Sequence, residues 1–258
     1  MTFQSSAKNP HCPYRAMLTK GLGLALLVAG FALPAAAATQ DTDPAAAGPP
    51  ANGNPAAQQS HPRHANFGSE KASRDALHVA HWAIASGDNQ GMPFLIVDKV
   101  NAKVFVFDAQ GNLSGAAPAL LGLARGDDST PGIGERKLST IRPQERTTPA
   151  GRFVASLGQD LHGAEMLWID YDTAISLHRV VTGTAAERRA QRLASASASD
   201  KRISYGCINV PVKFYDKVVS PAFTGTSGIV YILPETRPAR EVFKSYDVDE
   251  AAPAQGAG

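Results

Sequence analysis

A mainly β, sandwich-like fold with a few short helices is what the sequence predicts, on three observations. After Gly91 the apolar residues gather in short runs rich in valine, isoleucine and aromatics, at 94–98, 103–108, 151–156, 166–171, 174–181 and 228–233. Glycine and Asn/Asp turn signals such as Gly111-Asn112 separate several of these runs. Strands and long helical patterns do not alternate, so a mainly antiparallel sheet fits better than repeated βαβ units.

The elements follow in chain order. Residues 1–38 read as a secretory signal: a basic stretch ending at Lys20, an apolar run over 21–33, then Pro34 and four alanines that offer A-x-A cleavage. Thirteen apolar residues fall short of the roughly 20 that cross a bilayer, so no stable membrane insertion is expected after cleavage, with export to the periplasm or cell envelope. Counted through Ala38 the stretch reaches 18, which keeps an uncleaved anchor open. Cys12 precedes the apolar run, the wrong side for a lipid-modified cysteine. Residues 39–68 are rich in Ala, Pro, Gly, Gln and Asn and are expected to be a disordered linker. Over 69–92 a docking helix is expected, capped by Ser69, with Leu77, Ala80 and Ile84 on one face and Gly87 as its stop. The catalytic domain is placed at 93–236, with a helical insert at 182–201, and 237–258 is read as a tail. From 112 to 149 only 119–123 looks strand-like, and so long an irregular stretch suits a substrate-binding wall.

Charge narrows the partners. The chain has 25 Lys and Arg against 23 Asp and Glu, and the first 38 residues carry Lys8, Arg15 and Lys20 but no acid. Without them acids exceed bases by one, which leaves no basic footprint for nucleic acid. His78 and His81 lie one helical turn apart, but no further ligand cluster accompanies them, so neither a metal nor another cofactor is expected.

Loss of Cys12 with the signal would leave Cys207 as the single cysteine of the mature chain, too few for a disulfide framework. Cys207 sits in Ser204-Tyr205-Gly206-Cys207-Ile208-Asn209-Val210-Pro211, just ahead of a helical pattern. Gly206 allows close backbone approach to a substrate, so its amide and that of Cys207 could form an oxyanion hole. A thiol with an ordinary pKa near 8.5 needs a base. His178 is the better candidate, since alternation puts Ile175 and Leu177 on one strand face and Ser176 and His178 on the other. His162 reads as a solvated loop histidine.

These residues resemble the L,D-transpeptidases of the YkuD type. The likeness rests on His178 followed by Ser204-Tyr205-Gly206-Cys207-Ile208-Asn209, and on the upstream element Thr148-Pro149-Ala150-Gly151-Arg152-Phe153. The opening hairpin at 94–108 fits as well, and the resemblance covers roughly residues 93 to 236. It implies a peptidoglycan tetrapeptide stem as partner and substrate. Cys207 would form a thioester, His178 would be the base with its ring held by the Arg179 carbonyl, and Gly206 would contribute to the oxyanion hole. D-Alanine would leave, and an amine of a second stem would complete a 3→3 cross-link. Tyr205, Ser204 and Asn209 are the expected substrate-side residues, with Ser204 and Asn209 also able to organise the cysteine loop. Two features depart from the family pattern: Tyr205 stands where histidine is common, and 25 residues separate His178 from Ser204. The surplus forms the insert, readable either as a solvated surface helix or as a cover whose arginines meet anionic stems. A hydrolase on the same scaffold, and a non-catalytic wall-associated protein, remain as alternatives.

Overall fold

The computed structural model describes residues 63–251. The expected signal, most of the expected linker and the last residues of the expected tail lie outside the described residues. Among the described residues are ten strands: β1 (Phe94–Asp98), β2 (Lys103–Phe107), β3 (Leu113–Pro118), β4 (Leu121–Gly122), β5 (Gly151–Gln159), β6 (Glu165–Asp170), β7 (Ile175–Arg179), β8 (Arg202–Ser204), β9 (Ile208–Val210) and β10 (Gly228–Ile232). Eight form one sheet in the order β3-β2-β1-β10-β5-β6-β7-β9, while β4 and β8 pair separately. Within the large sheet β1 with β10 and β7 with β9 are parallel. The other neighbours are antiparallel. The mainly β class predicted from sequence is therefore what the chain adopts.

Both faces of the first sheet half are buried, which is why β1 reads as an unbroken apolar run rather than an alternating one. On one face Phe94, Ile96, Phe105, Phe107, Ile229 and Tyr231 pack beneath α1 (Arg74–Ser86). On the other, Leu95, Val97, Val104 and Val230 join Leu167, Leu177, Ile208 and Val210 from the far end of the sheet. The sheet thus closes over its own core. β5 makes this possible, since its residues 151–155 pair with β10 and its residues 156–159 with β6.

Several boundaries differ from the sequence expectation. Ser73, not Ser69, caps α1 by accepting the Ala76 N–H, and Gly87 closes the helix in the left-handed region at φ 72°. Residues 63–68, assigned to the linker, pack on the sheet instead: Phe67 is buried with its ring edge-on to Phe105 and Phe107. Asn66 also bridges to Asn112. Burying one such ring contributes about 1.5–3 kcal/mol, enough to anchor a short polar segment. The expected tail supplies two short helices, Ala239–Phe243, whose Phe243 packs edge-on to Tyr231, and Val248–Ala251, with Val248 buried. The insert is not one continuous helix. A 3-10 turn at Ala185–Glu187, the short helix Arg189–Ala194 and a further turn at Ser199–Lys201 succeed one another, broken where Arg188 takes φ 50°. β3 went unpredicted because its sequence, LSGAAP, has almost no β-branched or aromatic residues. It is strand by pairing with β2.

Candidate active site

β7 and β9 lie side by side in parallel, with Leu177 opposite Ile208, His178 opposite Asn209 and Arg179 opposite Val210. Side chains alternate along a strand, so Ser176 and His178 share one face of β7, and Cys207 and Asn209 continue one side of β9. Two neighbouring couples result. The Ser176 hydroxyl approaches the Cys207 sulfur at 3.6 Å, and Nδ2 of Asn209 lies 3.2 Å from Nε2 of His178. Cys207 is two residues before Asn209, the partner of His178, so cysteine and histidine are diagonal neighbours on one face of the strand pair, roughly 7–8 Å apart at backbone level. The sulfur also lies 3.5 Å from the Ala174 carbonyl oxygen. Cys207 is disulfide-bonded in the structure, so its thiol chemistry belongs to the reduced side chain.

The other ring nitrogen of His178, Nδ1, is 2.8 Å from the carbonyl oxygen of Arg179. A carbonyl only accepts, so Nδ1 carries the proton and Nε2 is left basic. Burial lowers the pKa of His178, and the nearby Arg189 charge lowers it further, against the Arg179 hydrogen bond and the more distant Asp160. The neutral ring is therefore favoured. The Arg179 side chain points elsewhere, donating to Asp216 at 2.6 Å and lying over the Tyr215 ring.

The turn carrying the cysteine is tightly wired. Ser204 Oγ donates to the Cys207 carbonyl at 2.6 Å and accepts the Gly206 N–H at 3.1 Å. Gly206 adopts φ 135°, and a Cβ there would meet the Thr147 carbonyl oxygen at 2.7 Å and Ile175 Cδ1 at 2.8 Å. Only glycine fits. Because the Gly206 amide is used by Ser204, the two-amide oxyanion hole expected from sequence is not the arrangement present. Ser204 and Asn209 are buried, so of the three expected substrate-side residues only Tyr205 lines the cleft.

That cleft is small, about 50 Å³, and Cys207 belongs to its lining. Its wall comes from the irregular stretch 123–150, with Ile133, Arg136, Leu138 and Thr147, and Ala174 and Ile175 line the opposite side. Arg146 lies over the Tyr205 ring at 3.9 Å. Thr148, fully buried, accepts the Gly122 N–H and donates to the Gly206 carbonyl at 2.8 Å. In the sequence this element carried only the family likeness, and nothing local marked the support behind it. Lys99, completely buried, donates to the Thr148 carbonyl and to Asp127. Burial opposes ionisation of Asp127, yet hydrogen bonds from Lys99, Thr236 and two backbone amides hold its carboxyl well below the usual range. Burial pulls the Lys99 pKa down, and Asp127 resists that.

Other histidines stand apart. His162 is exposed in the β5–β6 turn. His78 bonds to Ser245, and His81 packs edge-on against His64. Among the described residues no group of three or more His, Cys, Asp or Glu is placed to hold a metal. None of their helices is long and apolar enough to cross a membrane.

No protein-family model matches this chain, and no curated protein matches it significantly in sequence. Among solved structures it is similar to the catalytic domain of an L,D-transpeptidase from E. faecium, at 16% identity and TM-score 0.30, covering 54% of this chain and 95% of that one. A second is a fused Zn-dependent amidase/peptidase/peptidoglycan-binding domain-containing protein from Clostridium acetobutylicum, at 14% identity and TM-score 0.31, covering 60% and 61%. Likenesses this slight leave the reading of the site to its own residues.

Proposed function

We propose that the protein is an exported cysteine acyltransferase acting on peptidoglycan tetrapeptide stems. The observation that carries this reading is the strand pair itself: a cysteine in the lining of a cleft, and on the same face of the neighbouring strand an imidazole whose Nδ1 is tied to a backbone carbonyl and whose Nε2 lies by Asn209. A base held in one tautomer beside a thiol is the arrangement that nucleophilic acyl transfer requires.

In the proposed cycle, reduced Cys207 turns toward His178, and Nε2 takes its proton in exchange for the Asn209 contact. The thiolate adds to the carbonyl carbon of the diaminopimelate residue. The oxyanion forms against donors of the cysteine turn, with Tyr205 alongside. The C–N bond to D-alanine then breaks, and the departing amine takes the proton from the imidazolium. A second stem's amine attacks the thioester, passes a proton to His178, and Cys207 leaves as the thiol after reprotonation. No metal enters these steps.

The test is product analysis with disaccharide-tetrapeptide and the reduced protein. Cross-linked dimers with release of D-alanine are expected, and Cys207→Ala should abolish both them and acylation by a carbapenem in mass spectrometry. Shortened monomers alone would assign hydrolysis instead. An intact Cys207 that is never acylated would leave a non-catalytic wall protein.

A further inference from the structure

The insert reaches the imidazole through one intermediary. Nη1 of Arg189 donates to Oδ1 of Asn209 at 2.8 Å in a buried contact, and Nδ2 of the same amide faces His178 Nε2. A guanidinium offers donors only, so the amide oxygen has to face Arg189 and the NH2 group has to face the ring. Nε2 must then accept. That assigns the ring proton to Nδ1, where the Arg179 carbonyl receives it. Two constraints from opposite sides of the imidazole thus specify the same tautomer. The second hydrogen of the amide points to the Cys207 carbonyl at 3.4 Å, so Asn209 ties base and nucleophile together.

Arg189 is itself held in place. Its Nε donates to Glu187 Oε2 at 2.6 Å, and Arg189 is buried although the insert is mostly exposed. Gly183, at φ 61°, makes room for this pair, since a Cβ there would lie 3.0 Å from the Arg189 Nε. We infer that Arg189, braced by Glu187, is a positioning residue: it orients the Asn209 amide and thereby keeps Nε2 of His178 unprotonated and ready to receive the thiol proton. The inference rests on the reading of His178 as base given above. It makes the insert part of the proton-transfer machinery rather than a cover or an idle surface helix.

The test uses the full chain, kept reduced and labelled with 15N-histidine, with His178 assigned through His178→Gln. Long-range 1H–15N correlation reports which ring nitrogen carries the proton, and the rate of Cys207 alkylation by iodoacetamide reports thiolate formation. The wild type should show the Nδ1–H form. Arg189→Met should shift the ring toward a mixture and slow alkylation by about tenfold, a part of the ~10²–10⁴ that a positioned base supplies. Asn209→Asp should hold a proton on Nε2, and Arg189→Lys should restore part of the wild-type behaviour. A wild-type ring protonated on Nε2 overturns the inference, as does a folded Arg189→Met protein that leaves either the ring pattern or the alkylation rate unchanged. Should Arg189→Met fail to fold by circular dichroism, Arg189→Lys and Glu187→Gln decide by the same two readouts. Neither readout needs a cell-wall substrate, so failure of the product assay sinks the substrate reading while leaving this one standing.

Discussion

Two irregular segments flank Cys207, and they hold different things. The wall at 123–150 is braced within itself: Glu145 accepts from Arg136 Nη1 at 2.8 Å and from the Arg142 amide at 2.8 Å. Hydrogen bonds from Arg136 and then Arg142 draw the Glu145 pKa down to about 2, so this brace stays ionised at any ordinary pH. The wall spends its side chains on the cleft. The insert at 182–201 lines none of that cleft, and of its two buried cations, Arg189 and Lys201, the first contacts the residue that orients the base. Irregularity is common to the two. What separates them is where the arginines find their acceptors: inside the wall for Arg136, across on β9 for Arg189.

This division of labour can be broken by experiment, beginning at the base the insert is inferred to orient. His178→Ala should slow Cys207 acylation by about 10²–10⁴ while circular dichroism stays unchanged. An acylation rate equal to wild type would remove the histidine from the mechanism and the insert's role with it. The next effect falls on the turn between the segments. Gly206→Ala forces a Cβ against the Thr147 carbonyl at a φ that side chains rarely adopt, at a cost of about 1–3 kcal/mol from the backbone alone. A clear drop in thermal midpoint together with slower alkylation is expected. A midpoint within a degree of wild type would mean the turn is looser than described. The smallest effect belongs to the wall. Arg136→Met should weaken binding of an anionic stem peptide roughly two- to fivefold, the scale of a screened surface charge, without altering the His178 ring tautomer. A change in that tautomer would show the wall and the base to be coupled after all.

The comparison also shows why some of the site was legible in the chain and some was not. The strand position of His178 follows from period-2 alternation over 175–180, and Cys207 stood out by its Gly206-Cys207 setting, whereas the short strand that follows it was not read. The Arg179 carbonyl came only with the family resemblance. Arg189 is different. Its partner is 20 residues away and on another element, and a row of arginines after Glu187 looks in sequence like any solvated helix face. Lys99 and Asp127 were invisible for the same reason, since nothing local marks a lysine that will be buried. The Gly206 amide misled in the opposite direction: its glycine promised an exposed N–H, and Ser204 two residues earlier took it.

By itself the sequence determined the mainly β class, most of the strands, and the cysteine and histidine on which the chemistry is proposed to turn, because hydrophobic period and turn residues act over a few neighbours. Only the tertiary structure decided which carbonyl, amide and guanidinium meet those two side chains. Hydrogen-bond partners across β7, β9 and the insert are chosen by register and burial, and a register exists only once the sheet has closed.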